Sequence, residues 1–459
     1  MTSVPRGWFR LVLLTCFVCS FVTISWFYRA WGGGIGIRAL AGQQVRLKTG
    51  STEADEKRLV WPLNLEEREC RDTFPLLFSD IDASVARGQF VFPKSVPDYK
   101  GLVQGRILNG KLYILTTSPD TLPEILHQRT AVLSQIYRAI TTSPSPLPDT
   151  HFAFCINDVP KNNSWAFSRP NKETKYNTWL MPSFASWSWP KANLGVIDDV
   201  LSRIDHVERD VKWEKKVDKA VWRGTPWFNP IGHPNLRKDL LKATKQKDWA
   251  DVEALSTVSN ATNSINIEDF CRFRYVVYTE GVTYSGRLPY HQACGSVLIT
   301  APVTWLTTSG LLLRPIAAEE LVRGFEQPVK KHVAIPKRTV LPLAGALPTV
   351  EKWQDANAIY VKPDFSDLED VVRFLRSWPE VARRIAQNQR DTVVGGGYLS
   401  LAAETCYWRA LIRGWAAAAK VDGHEWSEQV GKRYETWLLE EVSNMRDGTR
   451  GRVEKSTGR

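Results

Sequence analysis

No histidines or cysteines in this chain stand at the spacing of a zinc site, and no helical stretch is basic along its length. An aromatic nucleic-acid signature is missing too, so the formal net charge of +11 does not point to nucleic acid. Part of that charge lies in the solvated basic tail 446–459, with its run DGTRGRVEKSTGR. No repeat of solenoid period is visible, which excludes helical and β arrays. Gly32-Gly33-Gly34-Ile35-Gly36 lacks the Lys-Ser/Thr of a phosphate loop and reads as linker. His233 and His291 stand singly and read as packing or surface residues, so no metal ligand set is expected. What remains is a 459-residue chain, 43% apolar, with nineteen tryptophans. That length suits two domains behind a short extension.

The N-terminus carries the one long apolar run. Leu11 to Tyr28, LVLLTCFVCSFVTISWFY, has no charge and spans roughly 27 Å as a helix. Arg6 and Arg10 precede it, so 1–10 reads as a cytosolic tail and 11–28 as a signal anchor. A cleaved signal peptide is the competing reading, with Arg29-Ala30-Trp31-Gly32 as its cleavage region. Either way the remainder enters the secretory pathway, and a single-pass type II protein of the Golgi or endoplasmic reticulum membrane with a luminal body is expected. Residues 29–60, Gly-rich and then charged, form a stem. Beyond the apolar run there are five cysteines, Cys70, Cys155, Cys271, Cys294 and Cys406, an odd number that leaves at least one unpaired within the chain. Asn162 and Asn260 begin glycosylation sequons.

From residue 61 onward, helical and strand periods alternate. LPEILHQRTAVLSQIYRAI (Leu122 to Ile140) has helical spacing, and HFAFCI (His151 to Ile156) is a buried strand ending in the polar turn Asn157-Asp158-Val159-Pro160. Farther on, KAVW, NLRKDLLKAT, RYVVYT, a short helix near Leu288, SVLIT, AIYVKP and DFSDLEDVVRFL run strand, helix, strand, helix, the pattern of a parallel sheet covered by helices. The expected organisation is one domain at 61–205, a second at 206–400 and closing helices at 401–445.

Two arginines stand at strand ends beside glycine. Arg287 lies in YSGRLPYHQACGS, where a strand has ended and a helix begins, so that main-chain N–H groups and a guanidinium converge on one spot suited to an anion. Gly281, Ser285 and Gly286 keep the backbone accessible there. Arg223, in Trp222-Arg223-Gly224-Thr225, repeats the arrangement one unit earlier, and two guanidiniums can neutralise a diphosphate without a divalent ion. Asp158 stands in the polar turn after its strand, where α/β proteins place chemistry and where an aspartate before Val-Pro also serves simply to form the turn. Asp80-Ile81-Asp82 and Asp198-Asp199 read as helix-start or loop residues rather than a metal site.

Taken in order, KAVWRGT, FCRFRYVVYTEGVTYSGRLPYHQACGSVLI, AIYVKPDFSDLEDVVRFL and ETCYWRALI resemble glycosyltransferase family 90, the family of fungal capsule-associated xylosyltransferases and Rumi-type protein O-glucosyltransferases. The resemblance covers roughly Phe152 to Trp415. It implies an α/β GT-B fold, two facing Rossmann-like domains with a cleft between them, here behind the N-terminal transmembrane helix. It also implies that the domain at 61–205 takes the acceptor and that at 206–400 the nucleotide sugar. It implies an inverting, metal-independent transferase with a UDP-sugar as co-substrate, xylose or glucose as the sugar, and a glycan, glycolipid or protein hydroxyl as acceptor. By the same resemblance Arg223, Gly224 and Thr225 together with Val282, Thr283, Tyr284, Ser285, Gly286 and Arg287 bind the donor, and Asp158 is the catalytic base. The spacing from Asn157 to Asp158 is shorter than in the family, and Glu280 replaces an aspartate. The family pairs Cys271 with Cys294 and Cys70 with Cys406, leaving Cys155 free. The alternative to an enzyme is a membrane-anchored carbohydrate-binding protein that keeps the fold without turnover.

Overall fold

Segments whose apolar residues repeat every second position form strands, and those with a 3.6-residue period form helices. The computed structural model describes residues 61–93, 100–119, 122–172, 177–191, 194–257, 261–326, 347–421 and 431–443, which fall within one compact unit. The cytosolic tail, signal anchor, stem, Asn260 and basic tail of the sequence reading lie outside the described residues.

The first layer is a six-stranded sheet. Its strands are β1 (Leu102–Leu108), β2 (Lys111–Thr117), β3 (Thr150–Cys155), β4 (Ser164–Ala166) and β5 (Thr178–Leu180), with Lys432–Arg433 on the edge beside β2. β1 pairs antiparallel with both β2 and β3, whereas β3, β4 and β5 are mutually parallel. Helices α1 (Glu67–Thr73), α2 (Ser79–Ala86) and α3 (Pro123–Thr141) accompany it.

The second layer is built from β6 (Val217–Gly224), β7 (Ala250–Ala254), β8 (Phe273–Tyr278), β9 (Val297–Thr300), β10 (Pro315–Ala317) and β11 (Ala358–Tyr360). Their spatial order is β7-β6-β8-β9-β11-β10, and every pair is parallel. Its helices are α4 (Ile197–Asp210), α5 (Leu236–Thr244), α6 (Leu288–Gln292), α7 (Ala318–Glu326), α8 (Leu368–Ser377) and α9 (Pro379–Arg390). A parallel sheet must bury both faces, and the alternation along each strand does so. Trp222, Tyr275, Val277 and Ile299 pack with Leu240 of α5, Val371 of α8 and Ile385 of α9. Val221, Val276, Tyr278 and Leu298 point the other way, into a core shared with the first layer.

The last helix, α10 (Leu401–Ala418), returns to the first layer. Trp408 and Trp415 are fully buried against Trp165, and the Trp415 Nε1 donates to the His151 carbonyl at 2.8 Å. Arg409, also buried, donates to the carbonyls of Leu63, Leu65 and Ala139. Cys70 and Cys406 are bonded across 336 positions, tying α1 to α10, and Cys271 and Cys294 are bonded across 23. Cys155 forms no disulfide among the described residues; it is buried, and its thiol donates to the Lys100 carbonyl at 3.2 Å.

This architecture corrects the expected fold class. The protein is α/β, but only the second sheet is parallel throughout. The first is mixed, because β1 and β2 form an antiparallel hairpin where a Rossmann-like half would continue through helical crossovers. Two facing Rossmann-like domains are therefore not what the chain forms. Nor, among the described residues, is any helix long and apolar enough to cross a membrane, and the span 11–28 that was expected to do so lies outside them.

Candidate active site

In an open parallel sheet, ligands meet the carboxyl ends of the strands where the strand order reverses. Here the reversal lies between β6 and β8: β7 is added on one side of β6, and β8 on the other. The turn after β6 is Gly224-Thr225, and the loop after β8 is Thr279 to Arg287, so the sequence-predicted donor residues sit at the switch point.

The loop after β8 is held tightly. The Gly281 N–H donates to the Tyr284 carbonyl at 3.0 Å, and a Cβ at position 281 would lie 2.6 Å from that oxygen, so only glycine fits. Tyr278, at the end of β8, takes the Ser285 N–H on its hydroxyl at 3.1 Å. Gly286 faces the indole of Trp189, leaving no room for a side chain without displacing it. Val282 accepts the Ile231 N–H at 3.0 Å, which ties this loop to the segment after β6.

Asp158 reaches the same loop from the first layer. It follows β3, in a turn where the Asn157 Oδ1 accepts the Val159 N–H at 3.0 Å, and its carbonyl accepts the Thr283 hydroxyl at 2.9 Å. The Asp158 side chain is open to solvent, yet the surrounding walls displace enough water to raise its carboxyl above the ordinary aspartate range. Its charge is also felt by the Tyr284 hydroxyl, whose pKa is raised first by burial and then by Asp158. The turn that bears Asp158 and the loop after β8 are thus brought together although 125 positions separate Asp158 from Thr283.

The two arginines do not converge as expected. The Arg223 guanidinium turns to the sheet edge, where it donates to Asp251 Oδ1 at 2.6 Å and to the carbonyls of Asp251, Trp222 and Asn263 at 2.8 to 3.0 Å. Those partners consume it, and what Arg223 offers the site is its own carbonyl, which accepts from Arg287 Nη1. The second guanidinium belongs to Arg237, on the first turn of α5. It is buried, donating to the carbonyls of Glu280 at 3.1 Å and Thr225 at 3.0 Å. Neither Arg237 nor Arg287 has a carboxylate partner among the described residues. Burial lowers both pKa values, and Arg237, which also feels the charge of Arg287, falls to about 10. Two partly desolvated cations in each other's field without a counter-ion form a site for an anion. Gly224 and Thr225 support it from behind: Gly224 lies under the Trp222 ring, and Thr225 holds Arg237.

Arg237 was legible in principle. In NLRKDLLKAT the stripe Arg237, Leu240, Leu241, Thr244 follows helical spacing, which places the one arginine of that helix on its apolar side.

Glu280 points away from the anion site. Its Oε1 accepts the N–H groups of Thr304 and Trp305 at 3.1 and 2.9 Å, and its Oε2 meets the Thr304 hydroxyl at 3.0 Å. Burial raises its pKa from 4.5 to about 8 against the pull of those hydrogen bonds. Because the folded value is the higher one, the stability Glu280 contributes is complete below about pH 4.5 and is lost as pH rises through 8. Glu280→Gln, whose amide reproduces the neutral pattern, is expected to remove that loss and to exceed the wild type by a few kcal/mol at pH 9 in urea unfolding. Equal pH slopes for the two proteins would refute this.

Asp80 and Asp82 lie in α2, paired with Arg169 and Arg71 respectively, and Asp198-Asp199 opens α4. Asn162 is exposed and His291 is buried.

Residues 66–316, more than half of the chain and all of this site, match the family model for glycosyl transferase family 90. The chain belongs to glycosyl transferase family 90. Among family 90 relatives it is similar to protein O-glucosyltransferase 1 of Homo sapiens, 22% identical over 286 residues that cover 58% of this chain and 62% of the relative. The Rattus norvegicus protein of the same name gives the same figures. The O-glucosyltransferase rumi homolog of Aedes aegypti is 22% identical over 294 residues, 60% of this chain and 63% of the relative. The chain thus spans a little under two thirds of the length of these relatives. Family 90 membership agrees with the resemblance carried by the ordered motifs.

Proposed function

We propose that this protein is an inverting, metal-independent glycosyltransferase that moves glucose or xylose from a UDP-sugar to a hydroxyl of a protein or protein-linked glycan in the lumen of the secretory pathway. The observation that carries the reading is the pair Arg237 and Arg287, unneutralised at the switch point of the parallel sheet, with the turn that bears Asp158 bonded to the same loop through the Asp158 main-chain carbonyl. The diphosphate lies on the two guanidiniums. Asp158 takes the proton of the acceptor hydroxyl, the acceptor oxygen attacks the anomeric carbon from the face opposite the diphosphate, and the bond from that carbon to the diphosphate oxygen breaks. UDP departs with its added charge held by the arginines. Their two positive charges do the work a divalent ion would otherwise do. The two disulfides support an oxidising compartment.

UDP release from UDP-glucose and UDP-xylose, with and without EDTA, tests the reading. Turnover that survives EDTA supports it, whereas sugar binding without UDP release would mean that the fold serves recognition alone.

The acceptor side has its own mark. Trp227, Phe228 and Ile231, in the segment bonded to Val282, are 56%, 45% and 56% exposed. Large apolar side chains so exposed beside an anion site make a platform for a protein acceptor. Trp227→Ala with Phe228→Ala is expected to raise KM for the acceptor by about tenfold or more, with acceptor-independent hydrolysis of the donor unchanged. An unaltered acceptor KM would remove the platform from the mechanism.

A further inference from the structure

A cavity of about 630 Å³ opens at the other end of the parallel sheet. Lys216, just before β6, and Gly295, just before β9, are on its wall, so it lies at the amino ends of the strands, away from Asp158 and Arg287. Its volume suits a mono- or disaccharide.

The floor is built and saturated. Lys216 Nζ donates to Glu208 at 2.8 Å, to the Cys271 carbonyl at 2.6 Å and to the Ser296 hydroxyl at 3.2 Å. Glu208 also accepts the Gly295 N–H at 2.8 Å. Two further cations on the wall are matched, Arg390 by Asp205 at 2.6 Å and Arg383 by Glu214 at 3.1 Å. Arg209 and Lys212 also line the cavity and have no carboxylate partner among the described residues; the contact Arg209 makes is with a ring nitrogen of His206 at 2.7 Å. Two positive charges are therefore left over where the matched pairs need none.

Two indoles, those of Trp61 and Trp213, stand on the same wall. Trp61 is locked in place: Gly397 holds φ at +71°, and a Cβ there would collide with the Trp61 ring, which packs edge-on against Phe74. Beside it runs a π-helical turn, Asp391–Gly395, a local irregularity more frequent at functional sites than elsewhere. Indole faces take the C–H faces of sugar rings, and unmatched guanidinium and ammonium groups take oxyanions.

The geometry points to a second ligand site in this cavity, specific for an anionic carbohydrate: a sugar ring lies on Trp61 or Trp213, and its carboxylate or phosphate on Arg209 and Lys212. The site is separate from the transferase cleft and does not depend on turnover there.

The full-length protein, held at saturating UDP so that the cleft is filled, is titrated with D-glucuronate, glucose 6-phosphate, sulfate and neutral glucose, followed by calorimetry and tryptophan fluorescence. At least one charged sugar saturates, about tenfold or more tighter than glucose and than sulfate, and Arg209→Ala with Lys212→Ala weakens it by a similar factor at an unchanged melting temperature. A preference between glucuronate and glucose 6-phosphate supports the site and names its anion. Trp213→Ala is the second variant, expected to weaken the charged sugars and to leave sulfate unmoved. Glucose or sulfate binding as tightly as the charged sugars, binding indifferent to both variants, or no saturation overturns the proposal.

Discussion

Arg287→Ala is expected to lower kcat/KM for the nucleotide sugar by about 10²–10³, the usual cost of removing one donor that stabilises developing charge in a water-poor site. The Arg287 guanidinium is held by one main-chain carbonyl, that of Arg223, and by no carboxylate among the described residues, so its charge is not spent on the fold. Arg237 stays behind in the variant, its pKa still lowered by burial but relieved of the repulsion from Arg287, and binds part of the diphosphate alone. Residual, EDTA-insensitive activity is therefore expected rather than none. Lysine at position 287 is expected to recover little, since a point charge cannot reproduce the planar fork. The contrast is Arg223→Ala. That change leaves Asp251 and several carbonyls at the sheet edge without their donor, so it is expected to lower the melting temperature markedly. Steady-state kinetics alongside thermal unfolding for the three variants separates the roles. A kinetic defect of Arg223→Ala as large as that of Arg287→Ala, with no loss of stability, would reverse the assignment.

Asp158→Asn is expected to lower kcat by about 10²–10⁴, the range of general-base assistance, with little change in KM for the donor. The backbone of the turn is untouched by the substitution: Thr283 still donates to the carbonyl of residue 158, and Asn157 still closes its turn. The pH dependence carries the sign. A base works deprotonated, and the walls around Asp158 raise its pKa above the ordinary 3.8, so wild-type activity falls on acidification at a pH above the usual aspartate range. The variant has no such acid limb. A limb of unchanged position in Asp158→Asn would assign it to another group and with it the base.

The second layer was largely legible because each of its elements carries a local signal. KAVW, RYVVYT and SVLIT are apolar runs of strand length, and the stretches between them keep helical spacing, which together specify parallel order before any contact is known. The first layer was not. β1 and β2 pair through residues 102–117, and that hairpin can be joined to either a mixed or a parallel sheet without altering its own pattern. At the site, a candidate anion-binding turn at Arg287 could be read from Gly281, Gly286 and its place after a strand, whereas the span Val282 to Arg287 rests on the family resemblance alone. The direction of the Arg223 side chain could not: alternation along β6 says which face a residue takes, whereas Asp251, the acid that captures its guanidinium, lies on a neighbouring strand reached only through tertiary pairing. Arg237 was overlooked for the converse reason, since three basic residues on one helix ordinarily face solvent.

The bond between Cys70 and Cys406, with the two tryptophans of α10 lodged in the first layer, fixes an order of events during synthesis. Residues 61–180 leave the ribosome with a gap where α10 belongs, and nothing nearer in the chain can fill it. The first layer therefore waits, partly open, while the parallel sheet behind it is translated, and is sealed only when position 418 emerges. A stop codon between residues 361 and 400 would release a product that has every strand of the parallel sheet but whose first layer lacks the tryptophans of α10, a substrate for degradation rather than a smaller enzyme.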